Sequence, residues 1–169
     1  MTSELAALFR RYHGRGLILD ANLLVVLAIG RGDPNLIAHH KRTRGEYTLE
    51  DHRLLLEVIA GVSPLLTTPH VLTEVSNLLG QTPGVLRYVV YQSFSALIDS
   101  LEELHIPGPE LADHAQLAVF GLTDLAILQT AGSRRCLVIT DDAALADFLG
   151  RSGVDAIPFS YIRKLDRGW

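Results

Sequence analysis

Short apolar runs alternate with segments of helical periodicity along the chain, and glycine, proline or capping residues mark most transitions. The runs that predict strands are GLIL at 16–19, LLTT at 65–68, LHI at 104–106, CLVIT at 136–140 and DAIPFS at 155–160. The last of these suits an edge strand, because it contains Pro158. Strands that alternate with helices predict an α/β fold, with a parallel sheet flanked by helices on both faces. The pattern leaves the strand order open.

Helices are predicted between these strands. They cover SELAALFRRYH at 3–13, the segment from Ala21 to GRGDP, a polar inserted segment of about 31–63, PHVLTEVSNLL at 69–79, about 84–103, PELADHAQLAVFG and LTDLAILQTAG on either side of Gly121, and DDAALADFLGRSG at 141–153. Thr48 and Asp51 fit a capping box in which Asp replaces the usual Glu or Gln. Thr68 is a predicted N-cap, followed by Pro69 as first helical residue. We find no repeat or linker and expect a single domain over 1–169.

Composition narrows the class of protein. The chain has 169 residues, of which 48% are hydrophobic and 20% charged, as in an ordinary globular domain. Its net charge of -4 gives no global signature of nucleic-acid or membrane binding. Cys136 is the only cysteine, which excludes an intramolecular disulfide and a thiolate-rich metal site. It lies in a predicted strand, so we expect a core residue and a reducing, cytoplasmic location.

The N-terminal region also resembles a signal peptide, with RRYHGR followed by LILDANLLVVLAIG. The central Asp20 argues against this, because an acid there costs roughly 2.5–3.5 kcal/mol on insertion scales. The apolar run is also shorter than the about 20 residues that span a bilayer. We therefore expect neither export nor membrane association.

Two polar residues, Asp20 and Asn22, interrupt the otherwise apolar run from Leu17 to Ile29. Burying a carboxylate without partners is costly. The pattern therefore indicates that the strand ends at Leu19 and that Asp20 belongs to a site at the end of the sheet.

Other acids occupy similar positions. Asp141 and Asp142 follow the strand LVIT, and Glu74 lies in the first turns of the helix after LLTT. Asp124 interrupts an apolar helical stretch. A single Asp in such a place is often only a helix cap, which is the favoured interpretation of Asp141 alone. In open α/β sheets, however, ligands bind outside the carboxyl ends of strands, so we expect these acids to meet there together with Asp20.

Acids that converge need a counter-charge, because neighbouring carboxylates repel one another. No Lys or Arg lies next to Asp20, Glu74, Asp124 or the Asp141–Asp142 pair in sequence, which favours a divalent metal. All-oxygen ligation suits Mg²⁺ or Mn²⁺ better than Zn²⁺. Such ions activate water and polarise phosphoryl oxygens, which is the chemistry of metal-dependent nucleases.

The motifs LILDANLL, TTPHVLTEVSNLL, GLTDLAIL and LVITDDAAL resemble, in order, the four acidic motifs of the PIN-domain family. The resemblance extends from about Leu17 to Phe159. It implies a three-layer, Rossmann-like parallel sheet and a metal-dependent ribonuclease that hydrolyses RNA phosphodiester bonds. It also implies the toxin of a type II toxin–antitoxin pair, with RNA as substrate and a small antitoxin as partner.

The resemblance implies roles for individual residues. The acidic quartet that would bind Mg²⁺ or Mn²⁺ and carry catalysis is Asp20, Glu74, Asp124 and Asp142. The last family motif contains Thr, any residue and Asp, so Thr140 matches the Thr and Asp141 is the second choice for the acid. Asn22, two residues after the first acid, and Thr140 would support the site by hydrogen bonding.

Cations and aromatic residues indicate which segments bind RNA and which form the core or a subunit interface. Among three basic clusters, HHKRTR is the favoured RNA-binding segment; its cations are Lys41, Arg42 and Arg44. His39 and His40 are adjacent on a helix and point in different directions, so we interpret them as surface or RNA-contacting residues, not metal ligands. The aromatic residues of RYVVYQSF are expected in the core or in a subunit interface, and we expect a homodimer; they are Tyr88, Tyr91 and Phe94.

Two alternatives stay open from the sequence. The first is a catalytically inactive PIN-like module that binds RNA or protein. The second is a phosphatase with Asp20 as nucleophile. It is disfavoured, because such sites usually have a second Asp two residues later, where this chain has Asn22, and because no Lys is well placed to neutralise a phosphoryl group.

Overall fold

The computed structural model describes residues 3–168, except for the side chains of Glu4 and Leu5. Residues 1, 2 and 169 of the predicted domain lie outside this described part. Within it, five strands form one parallel sheet in the order β3-β2-β1-β4-β5. The strands are β1 (Leu17–Leu19), β2 (Leu65–Thr67), β3 (Glu102–Glu103), β4 (Leu137–Thr140) and β5 (Ala156–Pro158).

Helices cover both faces of this sheet. They are α1 (Ser3–Arg10), α2 (Ala21–Gly32), α3 (Leu49–Gly61), α4 (Pro69–Leu79), α5 (Leu86–Ile98), α6 (Gly108–Ala112), α7 (Leu117–Arg134), α8 (Ala143–Arg151) and α9 (Phe159–Arg167), with a 3₁₀ helix over Pro34–Ala38. Helix α2 packs on α3, α4 and α5, whereas α7 packs on α6 and α8. The predicted three-layer, Rossmann-like α/β fold is therefore confirmed.

The core lies around the three interior strands β2, β1 and β4, in which every residue is buried. Helix α2 is buried on nearly all sides, from Leu23 to Gly30. A helix that is apolar all round has to be covered all round, which explains the long apolar run in the sequence. Cys136 is also buried, and burial raises the pKa of its thiol to about 11. It is a core residue, as predicted.

Several local signals are confirmed. The Thr48 hydroxyl accepts a hydrogen bond from Asp51 N at 3.2 Å, and the Asp51 carboxylate accepts one from Thr48 N at 2.8 Å, which completes the capping box. The Thr68 hydroxyl accepts from Val71 N at 3.3 Å, and Pro69 is the first residue of α4. Gly121 has φ +74° and interrupts α7. Each signal acts within a few residues, so the sequence displays it directly.

The edge strand β3 lies at a different position in the chain from the one predicted. Strand β3 lies at Glu102–Glu103, two residues before the predicted LHI. Its register is set by pairing of Glu102 with Leu66, and Leu104 N then donates to Thr67 O at 2.9 Å. Both β3 side chains are exposed, so no apolar pattern marked this strand.

The helical bounds also differ in places. Helix α1 ends at Arg10 instead of residue 13, and a break at 113–116 separates α6 from α7 where one helix was predicted. The middle of the inserted segment is a 3₁₀ helix followed by turns, and regular helix resumes only at α3. Helix α9 was not predicted, although its buried Phe159 and Ile162 have helical spacing. None of the described helices is long and apolar enough to cross a membrane.

Candidate functional site

The strand order reverses between β1 and β4. From β1 the chain proceeds outward to β2 and β3, whereas β4 and β5 extend in the other direction. The connections therefore diverge at the carboxyl ends of these two neighbours and leave a crevice, which is where open α/β sheets bind ligands. Asp20 directly follows β1, and Asp141 directly follows β4.

Asp20 is buried and is held by three hydrogen-bond donors. One carboxylate oxygen, Oδ1, accepts from Leu23 N at 2.9 Å and thereby caps α2. The other, Oδ2, accepts from the Thr140 hydroxyl and from Asp141 N, the latter at 3.0 Å. Burial raises the pKa of Asp20, and these hydrogen bonds oppose the rise by stabilising the charged form. The structure therefore places this acid in a fixed orientation at the switch point.

Thr140 links two of the predicted acids. Besides donating to Asp20, its buried hydroxyl oxygen accepts from Asp142 N at 3.0 Å. Asp142 is exposed and caps α8, because its Oδ1 accepts from Ala144 N at 2.8 Å and from Leu145 N at 3.0 Å. Thr140 therefore forms hydrogen bonds to Asp20 and to the backbone of Asp142, which is the supporting role predicted for it.

Asp124 and Glu74 approach the same edge from two contacting helices, α7 and α4. Both side chains are half-buried. Burial raises the pKa of the Asp124 carboxyl group to about 7. The negative charges that add to this rise are, in decreasing order, those of Glu74, Asp142 and Asp20. The other three acids of the predicted quartet thus lie close enough to Asp124 to affect its protonation.

The quartet has no cationic partner in the described part of the chain: none of its four acids forms an ion pair there. Among the same residues, no three His, Cys, Asp or Glu side chains are placed so that they could hold a metal ion together. Repulsion between carboxylates favours such separation. The donor set itself fits a hard divalent cation, because it consists of carboxylate oxygens.

Asp141 has a different environment from its neighbour Asp142. Its Oδ2 lies 3.5 Å from Arg163 Nη2, and Tyr47 lies beside it. Burial, followed by the negative charges of Asp141 and Asp20, raises the pKa of the Tyr47 phenol, so Tyr47 stays a hydrogen-bond donor. Asp141 therefore has a cation beside it, whereas Asp142 has none among the described residues, so the first and second choices for the last acid of the quartet differ in their electrostatic environment.

Sequence reasoning missed Arg163. Its Nε lies 3.0 Å from Asp51 Oδ1, and its guanidinium stacks over the rings of Tyr47 and Phe159, with centroid distances of 5.1 and 4.8 Å. Helical spacing of apolar residues could have predicted α9. Only the packing of α9 against the inserted segment could place this cation beside the acidic edge, by which we mean the carboxyl end of the sheet with Asp20, Glu74, Asp124, Asp141 and Asp142.

One cleft at this edge, the Arg42 cleft, has a volume of about 450 Å³. It is lined by Asn22, Arg42, Glu46, Tyr47, Asp141, Asp142 and Ala143. Of the three cations predicted to bind RNA, only Arg42 lies here. Lys41 and Arg44 line a neighbouring pocket of about 350 Å³ together with His39 and His40. The exposed Asn22 therefore faces the same space as Arg42, and it does not hydrogen-bond to the acids.

The interpretation of His40 as a surface residue was wrong; only His39 is exposed. Nε2 of His40 lies 3.0 Å from the Thr82 hydroxyl, and its Nδ1 accepts from Arg42 N at 3.2 Å. Burial, aided by the charge of Arg42, lowers the pKa of this histidine. His40 thus anchors the backbone that carries Arg42 into the cleft.

A second cleft, the α4–α7 cleft, opens on the side of Glu74 and has a volume of about 530 Å³. It is lined by Pro69, His70, Thr73, Glu74, Asn77, Leu122 and Thr123. The acidic edge therefore has Asp142 facing one cleft and Glu74 facing the other.

The aromatic residues of α5 divide between core and surface. Phe94 is buried, and the half-buried Tyr91 donates its hydroxyl to Ser76 O at 2.7 Å, which agrees with a core role. Tyr88, by contrast, is 75% exposed.

No protein-family model matches the chain, and no protein of curated function is significantly similar to it. A functional inference therefore rests on the residues at the switch point and on the two clefts beside them.

Proposed function

We propose that this chain is a metal-dependent ribonuclease of the PIN-domain type, which hydrolyses RNA phosphodiester bonds. One observation carries the proposal: the negative charges of Glu74, Asp142 and Asp20 all act on Asp124 at the topological switch point, and none of the four acids has a cationic partner among the described residues. Repulsion between these carboxylates opposes their ionisation, and a purely structural role does not require such an arrangement. A bound divalent cation would relieve this repulsion.

The metal would be Mg²⁺ or Mn²⁺, and the residues that would hold it are Asp20, Glu74, Asp124 and Asp142. Such a metal, when bound, lowers the pKa of water and stabilises charge on a phosphoryl oxygen. Asp20 contributes a carboxylate whose orientation is fixed by Leu23 N and by the Thr140 hydroxyl. Thr140 in turn holds the backbone of Asp142.

RNA would enter through the Arg42 cleft. Arg42 supplies a cation for a phosphate, and Asn22 supplies an amide in the same cleft. Lys41 and Arg44 extend the positive charge into the neighbouring pocket, beyond the cleft itself.

We further propose that the protein is the toxin of a type II toxin–antitoxin pair in the cytoplasm, that it forms a homodimer, and that a small antitoxin binds it. Exposed apolar side chains support a protein partner. Val85 and Tyr88 at the start of α5 are 78% and 75% exposed, and Val119 on α7 is 71% exposed. Apolar groups that remain in water lower the free energy of association when a partner covers them.

A catalytically inactive PIN-like module that binds RNA or protein is the second candidate. The observation that favours it is that no three ligand side chains in the described part are placed to hold a metal together. The two candidates differ in whether RNA is cleaved when Mn²⁺ is added.

The experiment compares cleavage of a mixed-sequence RNA by the wild type, Asp20→Asn and Asp113→Asn in Mn²⁺. Asp113 is an exposed acid that lines neither cleft and serves as the matched control. We expect Asp20→Asn to lose at least about 100-fold in rate while its melting temperature changes by only a few degrees, and Asp113→Asn to match the wild type. Full activity of Asp20→Asn would contradict the mechanism.

A further inference from the structure

The α4–α7 cleft is formed by one polar face of a helix and one break in another. His70, Thr73, Glu74 and Asn77 have the i, i+3, i+4, i+7 spacing of a single helical face, and all four line the cleft. The opposite face of α4 is buried through Val71, Val75 and Leu79. The facing wall consists of Leu122 and Thr123, which directly follow the break at Gly121.

Charge distinguishes this cleft from the Arg42 cleft. None of the described residues that line the α4–α7 cleft is Lys or Arg, and the one charged group among them is the acid Glu74. A phosphate there would meet a negative charge without compensation. The Arg42 cleft, on the other side of the acidic edge, contains the cation Arg42 together with the acids Glu46, Asp141 and Asp142. The two clefts therefore differ in whether a cation is present to contact a phosphate.

The α4–α7 cleft also contains polar groups without partners. Asn77 is exposed, and its amide forms no hydrogen bond with any described residue, so both donors and the acceptor are accessible to a ligand in the cleft. Nδ1 of the half-buried His70 also has no hydrogen-bond partner among the described residues, but this atom is itself inaccessible, so a ligand in the cleft would contact other groups. Beside them, Leu122 is 45% exposed and presents an apolar surface. A neutral, flat ligand with a hydrogen-bonding edge matches this combination.

We propose that the α4–α7 cleft binds a nucleobase of single-stranded RNA, with Asn77 hydrogen-bonding to the edge of the base and Leu122 contacting its face. This inference rests on the proposed function, because Glu74 belongs both to the acidic quartet and to the cleft wall. The cleft volume of about 530 Å³ lies in the range of about 300–1,000 Å³ that is typical of small-ligand sites. Unpaired bases are recognised through such edges and faces. Asn77 is then a specificity-determining residue, and the bound nucleotide lies next to the cleaved phosphate.

The test measures binding of fluorescent RNA hexamers of A, C, G and U, in EDTA so that no hydrolysis occurs. The proteins are the wild type, Asn77→Ala, Asn77→Asp and the control Gln92→Ala, which removes an exposed helical amide that lines neither cleft. We expect the wild type to prefer one base by about tenfold, and Asn77→Ala to reduce this preference to about twofold or less. Asn77→Asp loses the donors and should change the ranking of the bases. Gln92→Ala should keep the wild-type ranking.

Equal affinity of the wild type for all four hexamers would overturn the inference, as would an unchanged preference in Asn77→Ala. Cleavage of a random RNA pool in Mn²⁺ separates this inference from the proposed function. A base preference that depends on Asn77, in a protein that cleaves nothing, would retain the base site and reject the ribonuclease. Cleavage whose base preference does not depend on Asn77 would retain the ribonuclease and reject the base site.

Discussion

The hydroxyl group of Thr140 donates a hydrogen bond to the carboxylate of Asp20, a residue 120 positions earlier in the chain. The same hydroxyl accepts from Asp142 N at 3.0 Å, so one small side chain joins the ends of β1 and β4. A hydroxyl can do this because it is donor and acceptor at once. Thr140 therefore holds the Asp20 carboxylate and the Asp142 backbone near each other. Both acids lie at the switch point between β1 and β4.

The stability of the metal-free protein should depend on pH through Asp124. Burial and neighbouring acids raise the pKa of Asp124 from 3.8 to about 7, and burial also raises that of Asp20. Between pH 3.8 and about pH 7, the folded chain therefore binds more protons than the unfolded chain, and its free energy of unfolding falls as pH rises across that window. In urea unfolding with EDTA, we expect Asp124→Asn to gain about 1 kcal/mol relative to the wild type between pH 5 and pH 8, a modest value because solvent screens a half-buried charge.

The comparison with Asp124→Asn is needed because two histidines act in the opposite direction. Burial lowers the pKa of His40 and of His52, so their contribution to stability increases as pH rises through the ordinary histidine range. These contributions cancel between the two proteins. An equal pH dependence in both would show that the carboxyl group of Asp124 is not perturbed.

Mn²⁺ should stabilise the folded chain. At about 100 times its dissociation constant, a ligand that binds only the folded state adds about 2.7 kcal/mol to the free energy of unfolding. We expect this gain in thermal unfolding of the wild type and of the control Asp113→Asn, and its loss in Asp124→Asn. Because protons compete for carboxylates, the gain should be smaller at pH 5 than at pH 8. A gain that survives in Asp124→Asn would place the metal elsewhere.

Arg163 should contribute to stability through the buried Asp51. The Arg163→Met variant keeps the apolar stem of the side chain but removes the cation that lies 3.0 Å from Asp51 Oδ1. Arg167 Nη2 remains 2.9 Å from the same oxygen, so the loss should be only partial. We expect about 2–3 kcal/mol of destabilisation in urea unfolding.

The matched control for Arg163 is Arg151→Met, which removes an exposed cation paired with Asp147 one helical turn away. Such surface pairs contribute about 0.3–0.5 kcal/mol. If both variants lost the same small amount, the contact between α9 and the inserted segment would not stabilise the fold.

Arg42 should contact a phosphate of bound RNA. Replacing it by Ala should weaken binding several-fold and reduce the slope of log K against log salt by about 0.7, the value for one phosphate contact on a single strand. The control is Arg15→Ala, because Arg15 is exposed and precedes β1 at the opposite edge of the sheet. Fluorescence anisotropy between about 50 and 200 mM salt measures both quantities. An unchanged slope in Arg42→Ala would exclude the phosphate contact.

The sequence alone determined the elements whose causes are local. Buried strands were visible as short apolar runs, and α3 and α4 were visible through caps that act over three residues. The positions of Asp20 and Asp142 at the ends of β1 and β4 were predictable for the same reason, because each acid directly caps the next helix. From there, a parallel sheet implied that acids at strand ends share one edge.

Only the tertiary structure decided what depends on contacts between distant segments. The position of strand β3 is set by its pairing with β2, because both of its own side chains are exposed. Asp141 and Asp142 are adjacent in sequence, where only the motif ranked one above the other, and the approach of Arg163 from α9 gives them different environments. The separation of Arg42 from its neighbours, and the existence of two clefts with different charge, also follow from packing. Local periodicity carries no information on which surfaces meet, and meeting surfaces determine the chemistry of this edge.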